Sequence, residues 1–362
     1  MAESAPTREA IVEALRAVQD PRSGRDVITL EYAQRIEVEG GEVQIEYQVP
    51  APAFNEELQT SLRDQTVAVV SQLPGVENVS IAVNTAHERP TNTLPGVKHV
   101  IAVGAGKGGV GKSTISLLAA VGLQRKGFKV GLLDGDVYGP TLPKLTGTED
   151  RRLDLDDAGR VLPAETQGLK LVSMGHLIAP EQAVIWRGPM AQQYVKEFLD
   201  RTHWDELDYL FVDLPPGTGD IPLTLAQSIP LTGAVIVCTP QPVALIDAVR
   251  ALHMYEKLGV PSLGVVENMS YYVCPHCGHR DEIFSHGGAE TAAQELGVPF
   301  LGSIPLNIAI RSHGDAGRPL ANFTDVEPHV IECLDHFVDR LRDVIAEQDR
   351  KATPLPQLKT SG

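Results

Sequence analysis

The sequence predicts an α/β fold in which a mainly parallel sheet is covered by helices and preceded by a small α/β domain. Three observations carry this. From residue 98 onward, short apolar runs at 99–103, 129–133, 209–212, 234–238, 262–266 and 300–304 alternate with segments of helical periodicity, the pattern of parallel strands joined by crossover helices. The first run ends in a glycine-rich turn, GAGKGGVGKST, that opens a helix. Later runs end in carboxylates, Asp134 and Asp136 after the second and Asp213 after the third, and reactive groups in such folds collect at the carboxyl ends of strands. With 362 residues, 43% of them hydrophobic and 22% charged, the chain can bury a sizeable core and has room for two domains.

Residues 1–84 read as the small domain. Ile11, Ala14, Leu15 and Val18 fall at helical spacing in 7–18, which stops at Asp20-Pro21. Runs 27–30, 33–38 and 43–49 read as strands, with Gly40-Gly41 turning a hairpin between the last two. Residues 55–73 form a second amphipathic helix and 79–83 a further strand. The polar, proline-containing stretch 85–97 reads as a linker, and 98–349 as the larger domain. Within it, 146–162 is polar and charged and reads as a surface loop. Trp186, Arg187, Gly188 and Pro189 either line a partner surface or simply pack. Residues 328–348 form a last helix with Val330, Leu334, Phe337, Leu341 and Val344 on one face. Its other face carries Glu332, Asp335, Asp339, Asp343 and Glu347 against Arg340 and Arg342, which favours docking on the core over contact with a membrane. Residues 350–362 are expected to form a disordered tail.

The glycine-rich turn has a chemical meaning. Gly106, Gly111, Lys112 and Ser113 match G-x-x-x-x-G-K-[ST], a phosphate loop whose backbone N–H groups, with Gly108, Gly109, Val110 and Thr114 completing it, converge on phosphate oxygens at a helix N-terminus. Lys112 then reaches the β and γ phosphates and Ser113 ligates Mg²⁺. Gly104, Gly106 and Gly109 also satisfy the dinucleotide pattern G-x-G-x-x-G, with Asp134 near where a ribose-binding acid would lie. That site has no use for Gly-Lys-Ser, so a nucleoside triphosphate is the better ligand and the fold class becomes that of a P-loop NTPase. Asp213, closing an apolar run, suits the Mg²⁺ shell, and Pro215-Pro216-Gly217 after it suits a γ-phosphate switch. A lone strand-end Asp can equally cap the next helix, but three of them beside such a loop argue for chemistry.

The four cysteines are Cys238, Cys274, Cys277 and Cys333, too few for a disulfide framework in a chain this long. Cys274-Pro-His-Cys277 can ligate a metal, but tetrahedral zinc or a cluster needs four ligands and this motif offers two. His276 and His279 could complete a zinc site in one chain, and spacing does not separate zinc from a cluster. Cys238 and Cys333 read as small core residues. The formal net charge of −16 argues against nucleic acid or anionic membrane as a partner. No apolar run is long enough to span a bilayer, and MAESAPTREA lacks the features of a signal peptide, so a cytoplasmic location is expected.

GKGGVGKST, DGDVYGP, VIWRGPM, DLPPGTGD, TPQPVALIDA, GVVENMS and YVCPHCG together resemble the Mrp-type branch of the deviant Walker A ATPases, over residues 98–320. The small domain resembles the MIP18 type in Val18-Gln19-Asp20-Pro21 and Leu73-Pro74-Gly75-Val76. It lacks the cysteine that members often carry after the central hairpin, so a docking module without chemistry is expected. The resemblance implies an ATP-hydrolysing homodimer that carries a [4Fe-4S] cluster, held by Cys274 and Cys277 of two chains, to apo iron–sulfur proteins, alongside cluster-assembly scaffolds. It also implies that Lys107 acts on the partner's nucleotide, Asp136 positions the attacking water, Asp134 supports the site and Asn268 recognises adenine. The alternative is a nucleotide-switched positioning or scaffold ATPase without a cluster.

Overall fold

The computed structural model describes residues 6–21, 23–30, 32–50, 56–86, 94–177 and 188–352. The chain divides into two compact units, Met1–Glu88 and Arg89–Gly362. In the first, helix α1 (Arg8–Leu15) starts at Thr7, whose hydroxyl caps it by accepting the Ala10 N–H. Strands β1 (Ala33–Glu39) and β2 (Glu42–Pro50) make the expected hairpin, turning at Gly40 with φ +63°. Helix α2 (Glu56–Val70) crosses over to β3 (Asn78–Ala86), which lies parallel to β2. Ile11, Leu15, Ile45, Tyr47, Leu58 and Leu62 fill the core between helices and sheet. Residues 27–30 are a turn and not the strand their apolar content predicts. The Asp26 carboxylate accepts the N–H groups of Ile28 and Thr29 and the Thr29 hydroxyl, which curls the backbone before it can pair.

The second unit is a sheet with helices on both faces. Its elements are β4 (Val97–Gly104), α3 (Lys112–Arg125), β5 (Val130–Asp134), α4 (Leu142–Thr146), β6 (Asp154–Leu155), β7 (Val161–Leu162), β8 (Ala164–Thr166) and β9 (Leu169–Ser173). Then follow α5 (Gly188–Arg201), β10 (Leu207–Asp213), α6 (Asp220–Ser228), β11 (Gly233–Cys238), α7 (Pro242–Lys257) and β12 (Ser262–Val273). The unit closes with β13 (Arg280–Asp281), α8 (Gly288–Glu295), β14 (Phe300–Leu306), α9 (Ile308–Asp315) and α10 (Pro328–Ala352). Parallel strands run in the order β9-β5-β10-β4-β11-β12-β14, and the short β8 and β13 add antiparallel pairs at the edges. One core, built with α5 to α8, lies on one face, and a second, built with α3 and α10, lies on the other. Strand β9 went unforeseen, and the stretch expected to be a loop at 146–162 contains the small exposed β6–β7 hairpin.

Helix α10 buries Val330, Leu334, Phe337 and Leu341 against the sheet. Its acids serve as partners for α3: Arg125 pairs with Asp335, and Lys126 with Asp339 at 3.0 Å. Residues 350–352 of the expected tail are therefore helical, and 353–362 lie outside the described residues. So do Trp186 and Arg187, while Gly188 and Pro189 begin α5. The stretch read as a linker is partly built in: β3 extends to Ala86, and Leu94 and Val97 are buried in the second unit. No helix among the described residues is long and apolar enough to cross a membrane.

Candidate functional site

Register brings the strand-end groups together. Val103 of β4 lies opposite Asp213 of β10, Asp213 opposite Asp134 of β5, and Asp134 opposite Ser173 of β9. The loop from Gly104 to Gly111 leaves β4 over this row and enters α3. Gly109 and Gly111 adopt φ of +85° and +82°, conformations that a side chain resists. The loop is also tightly enclosed. A Cβ on Gly106 would stand 2.1 Å from the Asp247 carbonyl oxygen of α7, and one on Gly111 would stand 2.2 Å from Asn268 Nδ2.

Lys112 is buried, and its Nζ lies 2.7 Å from Asp213 Oδ2 and 4.0 Å from Asp136 Oδ2. The Ser113 hydroxyl donates to the same Asp213 oxygen at 2.5 Å. The other oxygen, Asp213 Oδ1, is buried without a hydrogen-bond partner, which is costly unless something binds there. A hard cation with oxygen ligands suits that carboxylate and the Ser113 hydroxyl, so the residues fit the Mg²⁺ that a P-loop implies. Asp134 is wholly buried. It accepts the Ser173 hydroxyl at 3.0 Å and the N–H groups of Asp136 and Leu142 at 3.2 and 3.3 Å, tying down the loop that carries Asp136. Burial first, and then the Asp213 carboxylate, pushes the Asp134 carboxyl up to about 7 against the opposing pull of Lys112. Burial also raises Asp136, again partly offset by Lys112. Lys107, half-buried in the loop, has no ion-pair partner among the described residues.

Asn268, on β12, donates its amide N–H to the Val110 carbonyl at 2.8 Å. It also lines a pocket of about 380 Å³ beside the loop, together with Gly111, Met269, Pro305, Leu306 and Arg311. Sequence reasoning missed Pro305, Leu306 and Arg311, as it missed Ser173. Their signal was position, since Leu306 and Ser173 each end a parallel strand, where ligand-binding groups gather.

Cys274 and Cys277 sit in the turn between β12 and β13. The Cys274 N–H donates to the His279 carbonyl and the Gly278 N–H to the Cys274 carbonyl, both at 2.9 Å, with Gly278 at φ +70°. Backbone N–H groups of His276 and Cys277 hold the Cys274 thiol below its ordinary range. Cys277 is exposed. Among the described residues no three His, Cys, Asp or Glu side chains converge on a metal-sized point, and His279 Nε2 faces Asp281 at 3.3 Å. Cys238 is buried, its thiol pushed up to about 12 chiefly by that burial. Cys333 is half-buried, 3.4 Å from the Tyr271 hydroxyl.

Residues 96–341 match the family model described as NUBPL iron-transfer P-loop NTPase. The chain belongs to this family. Residues 8–83 match a second model, described as iron-sulfur cluster assembly protein, in keeping with the MIP18-like resemblance. An iron-sulfur cluster carrier protein of Deinococcus radiodurans is 44% identical over 312 residues, covering 86% of this chain and 88% of that one. The iron-sulfur cluster transfer protein NUBPL of Dictyostelium discoideum is 42% identical over 265 residues, covering 69% and 82%. Among solved structures, a nucleotide-binding protein of Archaeoglobus fulgidus in complex with ADP aligns with a TM-score of 0.59 at 38% identity, over 68% of this chain and 96% of that one. The cell division ATPase MinD of Pyrococcus furiosus aligns with a TM-score of 0.50 at 21% identity, over 68% and 99%, which shows the shared P-loop NTPase fold.

Proposed function

We propose that the chain is a cytoplasmic, ATP-hydrolysing carrier that binds a [4Fe-4S] cluster as cargo between two copies of itself and hands it to apo-proteins. The observation that carries this is a mismatch of completeness. One chain brings the phosphate loop, Lys112, Ser113 and Asp213 together, but its Cys274–Cys277 turn offers two thiolates where a cluster needs four. A two-fold contact sets the same turn opposite itself and supplies the missing pair. Lys107, without an ion-pair partner among the described residues, supports the same assembly, since it stays available to a second copy's phosphates. So do Val243 and Ile246, exposed at 65% and 55% on the α7 turns beside Gly106, an apolar face for a second copy to cover.

At the nucleotide, loop N–H groups and Lys112 bind the phosphates, with Lys112 exchanging its Asp213 partner for them. Ser113 and Asp213 would hold Mg²⁺, which supplies charge neutralisation at the β and γ oxygens. Asp136 positions a water whose oxygen attacks the γ-phosphorus as the bond to the bridging oxygen breaks, leaving ADP and phosphate. Asn268, held by Val110, offers an amide whose acceptor and donor suit adenine's N6 amine and N7. Relatives named as iron–sulfur carriers support the carrier reading over a positioning ATPase. The first unit contributes no cysteine, and we assign it a docking role.

Anaerobic reconstitution followed by native mass spectrometry tests the cluster. A dimer with about four irons, lost in Cys274→Ser or Cys277→Ser while ATP binding survives, is expected. A monomer retaining a full cluster, or a zinc ion held with His276 or His279, overturns it.

A further inference from the structure

Strand β12 carries both Asn268 of the nucleotide pocket and, at its far end, the turn with Cys274, yet it does not run evenly between them. Asn268 pairs with Ile304 and Tyr272 with Leu306, so β12 advances four residues while β14 advances two. Met269, inside this bulge, takes φ +54°, a conformation that a non-glycine residue keeps only where its surroundings enforce it. Met269 also lines the base pocket. The bulge is therefore in contact with whatever occupies that pocket.

A polar cluster, buried at Glu267 and Ser270 and part-exposed at His286, holds the bulge. The Ser270 hydroxyl donates to Glu267 Oε1 at 2.5 Å and meets His286 Nδ1 at 2.5 Å, and with that donor spent, Nδ1–H of His286 donates to Ser270. Glu267 is fully buried and accepts the N–H groups of Gly287 and Ala289 at the start of α8 at 3.0 and 2.9 Å, with His286 Nδ1 3.4 Å away. An Asp or Ser at the cap would satisfy those amides without burying a carboxyl group inside a strand, so capping does not by itself account for Glu267. Onward, the His286 ring stands edge-on to Tyr271 at 5.7 Å, and Arg280 lies over the Tyr271 ring at 4.0 Å. Arg280 belongs to β13, the strand that returns from the cysteine turn. A continuous path thus runs from Val110 of the phosphate loop through Asn268, Met269, the cluster and Tyr271 to Arg280, which pairs with Val273 at the base of the turn holding Cys274 and Cys277.

We propose that Glu267, Ser270 and His286 are positioning residues that transmit occupancy of the base pocket along β12 to the Cys274–Cys277 turn, so that bound nucleotide sets how accessible the two thiols are. This rests on the ATP-binding carrier reading above. Transmission is reciprocal: nucleotide that alters the turn must itself bind differently when the turn is altered.

The test uses the full chain, iron-free and anaerobic, with iodoacetamide labelling of each cysteine read by mass spectrometry, with and without Mg²⁺ and a non-hydrolysable ATP analogue. In the wild type the labelling rate at Cys274 and Cys277 changes at least about fivefold on nucleotide binding, the lower range of ordinary coupling. In Ser270→Ala the change shrinks to about twofold or less, while calorimetry shows analogue affinity within about threefold of wild type. His286→Ala, at a part-exposed side chain, gives the same loss if Ser270→Ala does not fold. A wild-type response in both variants overturns the proposal and leaves closure of a dimer over the turn as the cause. So does a wild type that binds nucleotide with no change in labelling. A wild type that binds no nucleotide overturns the ATP-binding reading itself.

Discussion

Asp134→Asn should make the second unit less sensitive to alkali. Burial raises the Asp134 carboxyl from 3.8 to about 7, so between those values the folded chain holds a proton that the unfolded chain releases. Stability from this site is fully present below 3.8 and is lost as the pH rises through about 7. Taking those two values, the loss between about pH 5 and about pH 8 integrates to about 3 kcal/mol. Asparagine does not titrate. It gives up part of the hydrogen bonding to Asp136, Leu142 and Ser173, but that cost is nearly the same at either pH and cancels in the comparison. The stability of Asp134→Asn minus wild type is thus expected to be more favourable at about pH 8 than at about pH 5 by about 3 kcal/mol. Urea unfolding without nucleotide or Mg²⁺, followed by tryptophan fluorescence, measures it, because both tryptophans, Trp186 and Trp204, belong to the second unit. Equal differences at the two pH values would refute the claim that Asp134 is protonated by its burial.

Lys107→Ala should lower ATP turnover by roughly a hundredfold or more, since a lysine acting on a partner's nucleotide matters most as charge develops on the transferring phosphate. Steady-state kinetics with calorimetry separate the effects, and equal losses of binding and turnover would place Lys107 in its own loop's ground-state binding. Asp136→Asn should slow turnover by roughly a hundredfold while ATP still binds. Unchanged turnover would move the water-positioning role, with Asp134 next in line.

Much of the larger unit was legible because its signals are local. Apolar runs such as residues 209–212, each closed by a turn and followed by a helical pattern, report strands buried on both faces. The spacing of Gly106, Gly111, Lys112 and Ser113 reports a loop whose conformation lies within a few residues of chain. Where a local competitor was present, the reading failed: the apolar run 27–30 looks like a strand, but the neighbouring Asp26 carboxylate captures its amides. Strand β9 failed for the opposite reason. It has only five residues, and its pairing with β5, from a distant part of the chain, makes it a strand.

By itself, then, the sequence determined the class of fold, the phosphate loop, the strand-end acids and the number of thiols, because period, turn chemistry and ligand count are properties of short segments. Tertiary structure alone decided that Lys112 is the counter-ion of Asp213, that Ser173 supports Asp134, and that Pro305 and Leu306 join Asn268 and Met269 at one pocket. It also decided that Asp134 is raised to about 7. Those outcomes depend on burial and on the convergence of strand ends far apart in the chain, and neither the loss of solvent around a carboxylate nor a distance across a sheet is written in the spacing of residues.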